Sequence, residues 1–186
     1  MAIQTRWTVA AYEQFIALPE NTDRRIELID GEIVEKNMPT QEHGVTGSIL
    51  NGMLFIWWDK GGRKGWLMIE TRVGLPDDDA NDRIPDLSYI TPERAEPLRR
   101  KGAVPYMPDL AVEILSPDES LAKTRAKIQY YLDHGTRLAW LLIPAKRAIE
   151  VYRANGEVEL LTAEQDDILD GGDVLLGFAA NVKTIV

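Results

Sequence analysis

The run Leu110-Ala111-Val112-Glu113-Ile114-Leu115, apolar except for one carboxylate, constrains the fold more than any other stretch. It is bounded by Pro108-Asp109 and Ser116-Pro117, so it is too short for an ordinary helix and reads as a buried strand. Alternate strand residues share a face, which places Asp109, Ala111, Glu113 and Leu115 on one side and Leu110, Val112 and Ile114 on the other. An ionised Glu113 at that position requires compensation, because an unpaired buried carboxylate costs far more than the valine or isoleucine the pattern calls for. A lysine or arginine partner meets the need as a metal ion does.

The flanking segments give that strand a sheet to join. Thr8 is a fitting N-cap for a helix through Leu18, ended by Pro19. Arg25–Ile29 and Glu32–Glu35 flank Asp30-Gly31, a two-residue hairpin signal, with Glu27 inside the hairpin. Val45, Ile49, Met53 and Trp57 recur every four residues between Gln41 and Lys60, which predicts a helix with His43 in its first turn, and Gly44, Gly47 and Gly52 weaken it or mark close packing. Trp66 to Leu75 reads as a strand, the acidic loop Asp77–Asp82 as solvated, and Pro85-Asp86 as the opening of the strand Leu87-Ser88-Tyr89-Ile90. Ser120 to His134 carries Leu121, Ile128 and Leu132 on one helical side and is closed by Gly135. Leu138–Ile143 is a buried strand, and Ile149–Tyr152 pairs with Val158–Leu161 across Asn155-Gly156. This order predicts an α/β fold, a mixed central β-sheet flanked by helices, as a single domain over residues 1–186.

Charge and composition narrow the function. The 186 residues carry a formal charge of -9, which argues against nucleic-acid binding through a broad basic surface and leaves a limited patch such as Arg94, Arg99, Arg100 and Lys101, or a second subunit. With no cysteine, disulfides, thiolate zinc sites and cysteine nucleophiles are excluded. The amino terminus lacks the order of a secretory signal, and the run Met53–Trp58 is too short to cross a bilayer, so a cytoplasmic protein with no membrane association is expected. The acidic loop lacks the glycine and terminal glutamate of an EF-hand. Trp57 and Trp58 could stack on bases, but a core or homodimer interface suits them better, and the interface is the expectation.

If the Asp86 and Glu113 strands pair, the two carboxylates can converge, and oxygen donors of this kind suit Mg2+ or Mn2+. The helix leaving the Glu113 strand carries Lys123 and Lys127 one turn apart, and it can fold back so that Lys127 reaches the same spot to orient or help deprotonate a water. Each residue has a plainer role. Asp86 can cap loop amides, Glu27 can be an exposed cross-strand neighbour of Arg25, His43 a surface or capping residue, and the lysines solvated helix residues.

The strings Glu27-Leu28-Ile29-Asp30-Gly31-Glu32, His43, Pro85-Asp86-Leu87, Pro108 through Pro117, Lys127 with Tyr131 and Gly135, and Trp140-Leu141-Leu142-Ile143-Pro144 together resemble the Uma family of restriction-endonuclease-like proteins in the PD-(D/E)xK nuclease superfamily. The resemblance implies a restriction-endonuclease-like fold and a metal-dependent endonuclease that hydrolyses DNA phosphodiester bonds by metal-activated water attack. It implies Asp86 and Glu113 as ligands of Mg2+ (or Mn2+), Lys127 as the residue positioning the water, and Glu27 as a further acidic contact. The superfamily's usual lysine, two residues after the acid, is replaced here by Leu115, and the resemblance moves that role to Lys127, with Lys123 in reserve. His43, Tyr131 and Lys123 are implied near the substrate. The rival expectation is a catalytically silent module that keeps the fold for binding or scaffolding.

Overall fold

The computed structural model describes residues 6–186, which fall into two compact units taken separately below. The first draws on Met1–Met38, Thr71–Ile84 and Leu98–Met107. Its helix α1 (Val9–Ile16) is capped by Thr8, whose hydroxyl accepts from Ala11 N at 3.2 Å. Strands β1 (Ile26–Ile29) and β2 (Glu32–Glu35) form the expected antiparallel hairpin, and both turn residues, Asp30 at φ 51° and Gly31 at φ 77°, adopt the positive φ that such a turn requires. Tyr12, Ile26 and Leu28 form the core of this unit, and the Tyr12 hydroxyl donates to Ile26 O at 2.7 Å.

The second unit comprises Pro39–Glu70, Pro85–Pro97 and Pro108–Val186. Helix α2 (Gln41–Lys60) is followed by β3 (Trp66–Ile69), β4 (Leu87–Ile90), β5 (Leu110–Ile114), α3 (Leu121–Asp133), β6 (Leu138–Ile143), β7 (Ala148–Arg153) and β8 (Val158–Thr162). The strands lie in the order β3-β4-β5-β6-β7-β8, and every neighbouring pair is antiparallel except β5 with β6, which the α3 crossover makes parallel. A smaller antiparallel pair, β9 (Ile168–Asp170) and β10 (Ala179–Asn181), and the short helix α4 (Val182–Ile185) complete the unit. Leu87, Tyr89, Val112, Ile114, Trp140 and Leu142 pack with Leu50 and Leu54 of α2 on one sheet face. Helix α3 lies on the other face, where Arg125 and Lys127 reach strand carboxylates.

Several expectations are corrected. The buried residues of α2 are Thr46, Leu50 and Leu54, one position on from the predicted stripe, and Val45 is 53% exposed. The predicted stripe follows a strict four-residue spacing, whereas a helix turns every 3.6 residues and its buried arc is wider than one row. Gly47 does mark close packing, since a Cβ there would meet Ile114 Cδ1 at 3.2 Å. The strand predicted from Trp66 to Leu75 stops at Ile69, where Glu70 turns to φ 46°. Asp82, expected in a solvated loop, is 1% exposed and accepts from Arg72 at 2.9 and 2.5 Å. The inward face of α3 is Thr124, Lys127, Ile128 and Tyr131, so a lysine and a tyrosine stand where aliphatic residues were expected. Trp57 and Trp58, expected at an interface, are partly buried and also make contacts within the unit. Trp57 Nε1 donates to Leu176 O at 2.9 Å and its ring meets Tyr89 edge-on, and Trp58 Nε1 donates to Lys64 O at 2.9 Å.

Candidate active site

The register of β4 on β5 sets Ser88 opposite Ala111, so two residues further along the antiparallel ladder Asp86 and Glu113 are neighbours on one face. The backbone supports this beyond the formal end of β4, because Asp86 N donates to Val112 O at 3.0 Å. Asp86 is 5% exposed and Glu113 4%. Each carboxylate is held by specific donors. Asp86 Oδ2 accepts from Ile114 N at 2.8 Å and lies 3.3 Å from His43 Nε2, which donates when that nitrogen carries the proton. His43 is in the first turn of α2, where its amide is capped by Thr40 Oγ1 at 3.2 Å.

Glu113 Oε1 is 2.9 Å from Lys127 Nζ and accepts from the Tyr131 hydroxyl at 2.9 Å. Lys127 and Tyr131 are four residues apart on α3, hence stacked on one helical face and both aimed at the same carboxylate oxygen. Lys123 is exposed, whereas Lys127 is buried beside Glu113.

Asp86, Glu113, Lys127, His43 and Tyr131 are therefore brought together in one unit. Glu27 belongs to the other unit, where it is 3% exposed and accepts from Ile84 N at 2.5 Å, so the plainer alternative of an exposed hairpin residue does not hold. Arg94, named for a DNA-contacting patch, is committed to Asp109 Oδ1 at 2.8 Å. Sequence reasoning gave no role to two acids of this sheet. One is Asp109, fully buried, which also accepts from Thr91 N at 2.9 Å. The other is Glu150, on the Glu113 face two strands away, which binds Arg125 and the Tyr152 hydroxyl. The signal for Glu150 was the same as for Glu113, a lone acid inside the apolar run Ala148-Ile149-Glu150-Val151. Arg125 holds the Glu150 carboxyl below the usual carboxylate range, and burial, reinforced by Glu150, pushes the Tyr152 hydroxyl up to about 12.

Two adjacent carboxylates offer hard oxygen donors. Among the described residues no group of three or more His, Asp or Glu side chains forms a protein cage for a metal. That donor set fits Mg2+ or Mn2+, which bind through one or two carboxylates and fill the remaining positions with water and phosphate oxygens. It does not fit a closed structural zinc site.

A mixed sheet of this order with helices on both faces is a restriction-endonuclease-like architecture. It is similar to a crystal structure described as "a putative nuclease belonging to DUF820 from Anabaena variabilis ATCC 29413", with a TM-score of 0.75 and 26% identity over 86% of this chain and 88% of that one. The chain belongs to the Uma2 family, described as "Putative restriction endonuclease", whose model matches residues 12–183. No curated protein matches it. Among the described residues no helix is long and apolar enough to cross a membrane.

Proposed function

We propose that this chain is a metal-dependent endodeoxyribonuclease in which Asp86 and Glu113 hold Mg2+ or Mn2+ and Lys127 positions the attacking water. The observation that carries this reading is the adjacency of Asp86 and Glu113 on one face, with Lys127 Nζ 2.9 Å from Glu113. A divalent cation bound there would supply Lewis-acid stabilisation of phosphate charge and acidify a water molecule. Ile114 N and His43 fix the Asp86 carboxylate, and Tyr131 fixes Glu113, so neither acid has to be ordered when substrate arrives. The buried ammonium of Lys127 is a fixed positive charge in a low-dielectric site, where it can orient a water or stabilise charge on a phosphate oxygen. A homodimer in a cytoplasmic setting completes the reading.

A second reading has its own observation. Lys127 and Tyr131 already neutralise and hydrogen-bond Glu113, which is how a buried ion pair in a silent scaffold would be built. Cleavage assays on plasmid, linear and single-stranded DNA separate the two. Metal-dependent cutting lost in Asp86→Asn and Lys127→Ala, with Mn2+ binding lost in Glu113→Gln, supports the nuclease. Metal binding without cutting of any substrate supports the scaffold, and no metal binding by the wild type removes the first reading.

A further inference from the structure

An acidic chain that acts on DNA has to gather cations where the backbone passes the site, and in the run Arg94, Arg99, Arg100 and Lys101 the leading member is committed to Asp109. A different group of cations lies past the ends of the parallel pair β5 and β6, which remain side by side as far as the hydrogen bond from Leu115 N to Leu142 O (2.9 Å). Lys123 is exposed in the first turn of α3, one turn before Lys127. Lys146 and Arg147 are exposed at the 3-10 turn Pro144–Lys146 that follows β6. Glu113 lies opposite Leu141, and this turn begins three residues further on, so it stands roughly 10 Å beyond the carboxylate along the strands.

On the two segments that leave these strands, residues 115–128 and 144–150, five cations (Lys123, Arg125, Lys127, Lys146 and Arg147) stand against three acids (Asp118, Glu119 and Glu150), beside the two carboxylates of the site. Arg125 binds Glu150 with two hydrogen bonds, and Lys146 also acts electrostatically on that carboxylate, so two cations share one acid. Glu119, on the loop entering α3, is engaged with Ser116 N at 2.9 Å. Arg147 adds an observation of its own. It sits at φ 48°, a left-handed conformation in which glycine costs least, yet the position carries a long cation. Its amide donates to Pro144 O at 2.8 Å and its carbonyl accepts from Ala163 N at 3.0 Å, so the root of the side chain is fixed on both sides.

We propose that Lys123, Lys146 and Arg147 form the edge that grips the DNA phosphate backbone as it enters the Asp86–Glu113 site. The proposal rests on the nuclease reading and adds where the substrate is held. These contacts are to phosphates, so they carry affinity without sequence preference.

The test uses the full chain with EDTA present, so that binding is read without cutting, by fluorescence anisotropy of a labelled DNA duplex over a range of salt concentrations. Lys146→Ala/Arg147→Gly is expected to weaken binding about tenfold or more and to lower the slope of log affinity against log salt by about two, close to one unit for each phosphate no longer neutralised. Glycine suits the left-handed position, so the variant keeps its fold, which a urea midpoint at or above that of wild type verifies. Arg100→Ala/Lys101→Ala is expected to bind as wild type does. An unchanged affinity and slope in Lys146→Ala/Arg147→Gly, with cutting by wild type intact, overturns the edge and spares the nuclease reading. Wild type that neither binds nor cuts DNA at the lowest salt overturns both. A labelled RNA bound more tightly than DNA, with the same loss in the variant, retains the cations as a phosphate grip and overturns DNA as the occupant.

Discussion

Glu113 and Glu150 are nearly the same residue twice. Each is a lone acid in an apolar strand, both point to the α3 face, and each receives a cation from α3 and a tyrosine hydroxyl: Lys127 and Tyr131 for Glu113, Arg125 and Tyr152 for Glu150. The differences lie in the cation and in the next strand. The Arg125 side chain is 50% exposed and binds through two guanidinium nitrogens, a geometry that closes an ion pair. The Lys127 side chain is 9% exposed and presents a compact ammonium, and Glu113 has a second acid, Asp86, beside it on β4. A buried strand glutamate is therefore no mark of a site by itself. A second carboxylate and a buried lysine distinguish the two.

The comparison breaks most sharply at Lys127. Lys127→Met leaves Glu113 buried without its cation and should cost about 3–5 kcal/mol of stability, as loss of one member of a buried pair does. The double variant Glu113→Leu/Lys127→Met should recover most of that loss, since apolar residues of similar volume replace such pairs at little cost. Neither variant should cut DNA. Urea unfolding and a plasmid-cleavage assay read the two effects separately, and a double variant that cuts would remove Glu113 and Lys127 from the chemistry.

The opposite end of the β4–β5 ladder gives the next largest effect. Asp109 is fully buried and is held by Thr91 N and Arg94, with Arg137 Nη1 at 3.9 Å, a set that reads as structural. Asp109→Ala should destabilise by about 2–3 kcal/mol, because a backbone donor and a guanidinium lose their acceptor. Cutting per folded molecule should be unchanged. Asp86→Asn should do the reverse, since the amide oxygen still accepts from Ile114 N while one charge is lost from the proposed ligand pair. Equal loss of cutting in both variants would erase the distinction between the ends of the ladder.

Much of this sheet was legible in the sequence. The short apolar run of β5, the Asp30-Gly31 turn and the cap at Thr8 are local signals, and each appears where local chemistry puts it. Strand alternation also placed Asp86 and Glu113 on a shared face once the strands paired. What stayed hidden depended on long-range partners. Which of Lys123 and Lys127 lies beside Glu113 depended on how α3 packs on the sheet, and the pairing of Asp82 with Arg72 needed an arginine ten residues away. The fate of Arg94 and of Trp57 was likewise decided by tertiary contacts, with Asp109 and Leu176. Exposure cannot be read from charge or aromaticity alone.

At Glu150 the mutational effect should be smaller, and cutting should survive. Glu150→Gln keeps a hydrogen-bond acceptor for Arg125 and Tyr152 and removes only the charge, so its urea midpoint should fall less than that of Lys127→Met.

The smallest effect is in the pH dependence. The Glu150 carboxyl titrates below its ordinary value of 4.5 because Arg125 hydrogen-bonds to its charged form. The folded state thus binds this proton less readily than the unfolded chain, so the stabilisation is complete above about pH 4.5 and is lost as pH falls through the lower folded value. Asp82 has the opposite sign. Burial raises its carboxyl above the ordinary 3.8 even though Arg72 pulls it back, so its charge costs stability above the folded value, and that cost is relieved as pH falls toward 3.8. The two acids therefore oppose each other on the acid limb. Urea midpoints followed downward from neutral pH should fall less steeply in Glu150→Gln than in wild type, and in Asp82→Asn the acid limb should steepen. A Glu150→Gln curve parallel to wild type would mean that Arg125 leaves Glu150 unperturbed, and the contrast with Glu113 would then rest on geometry alone.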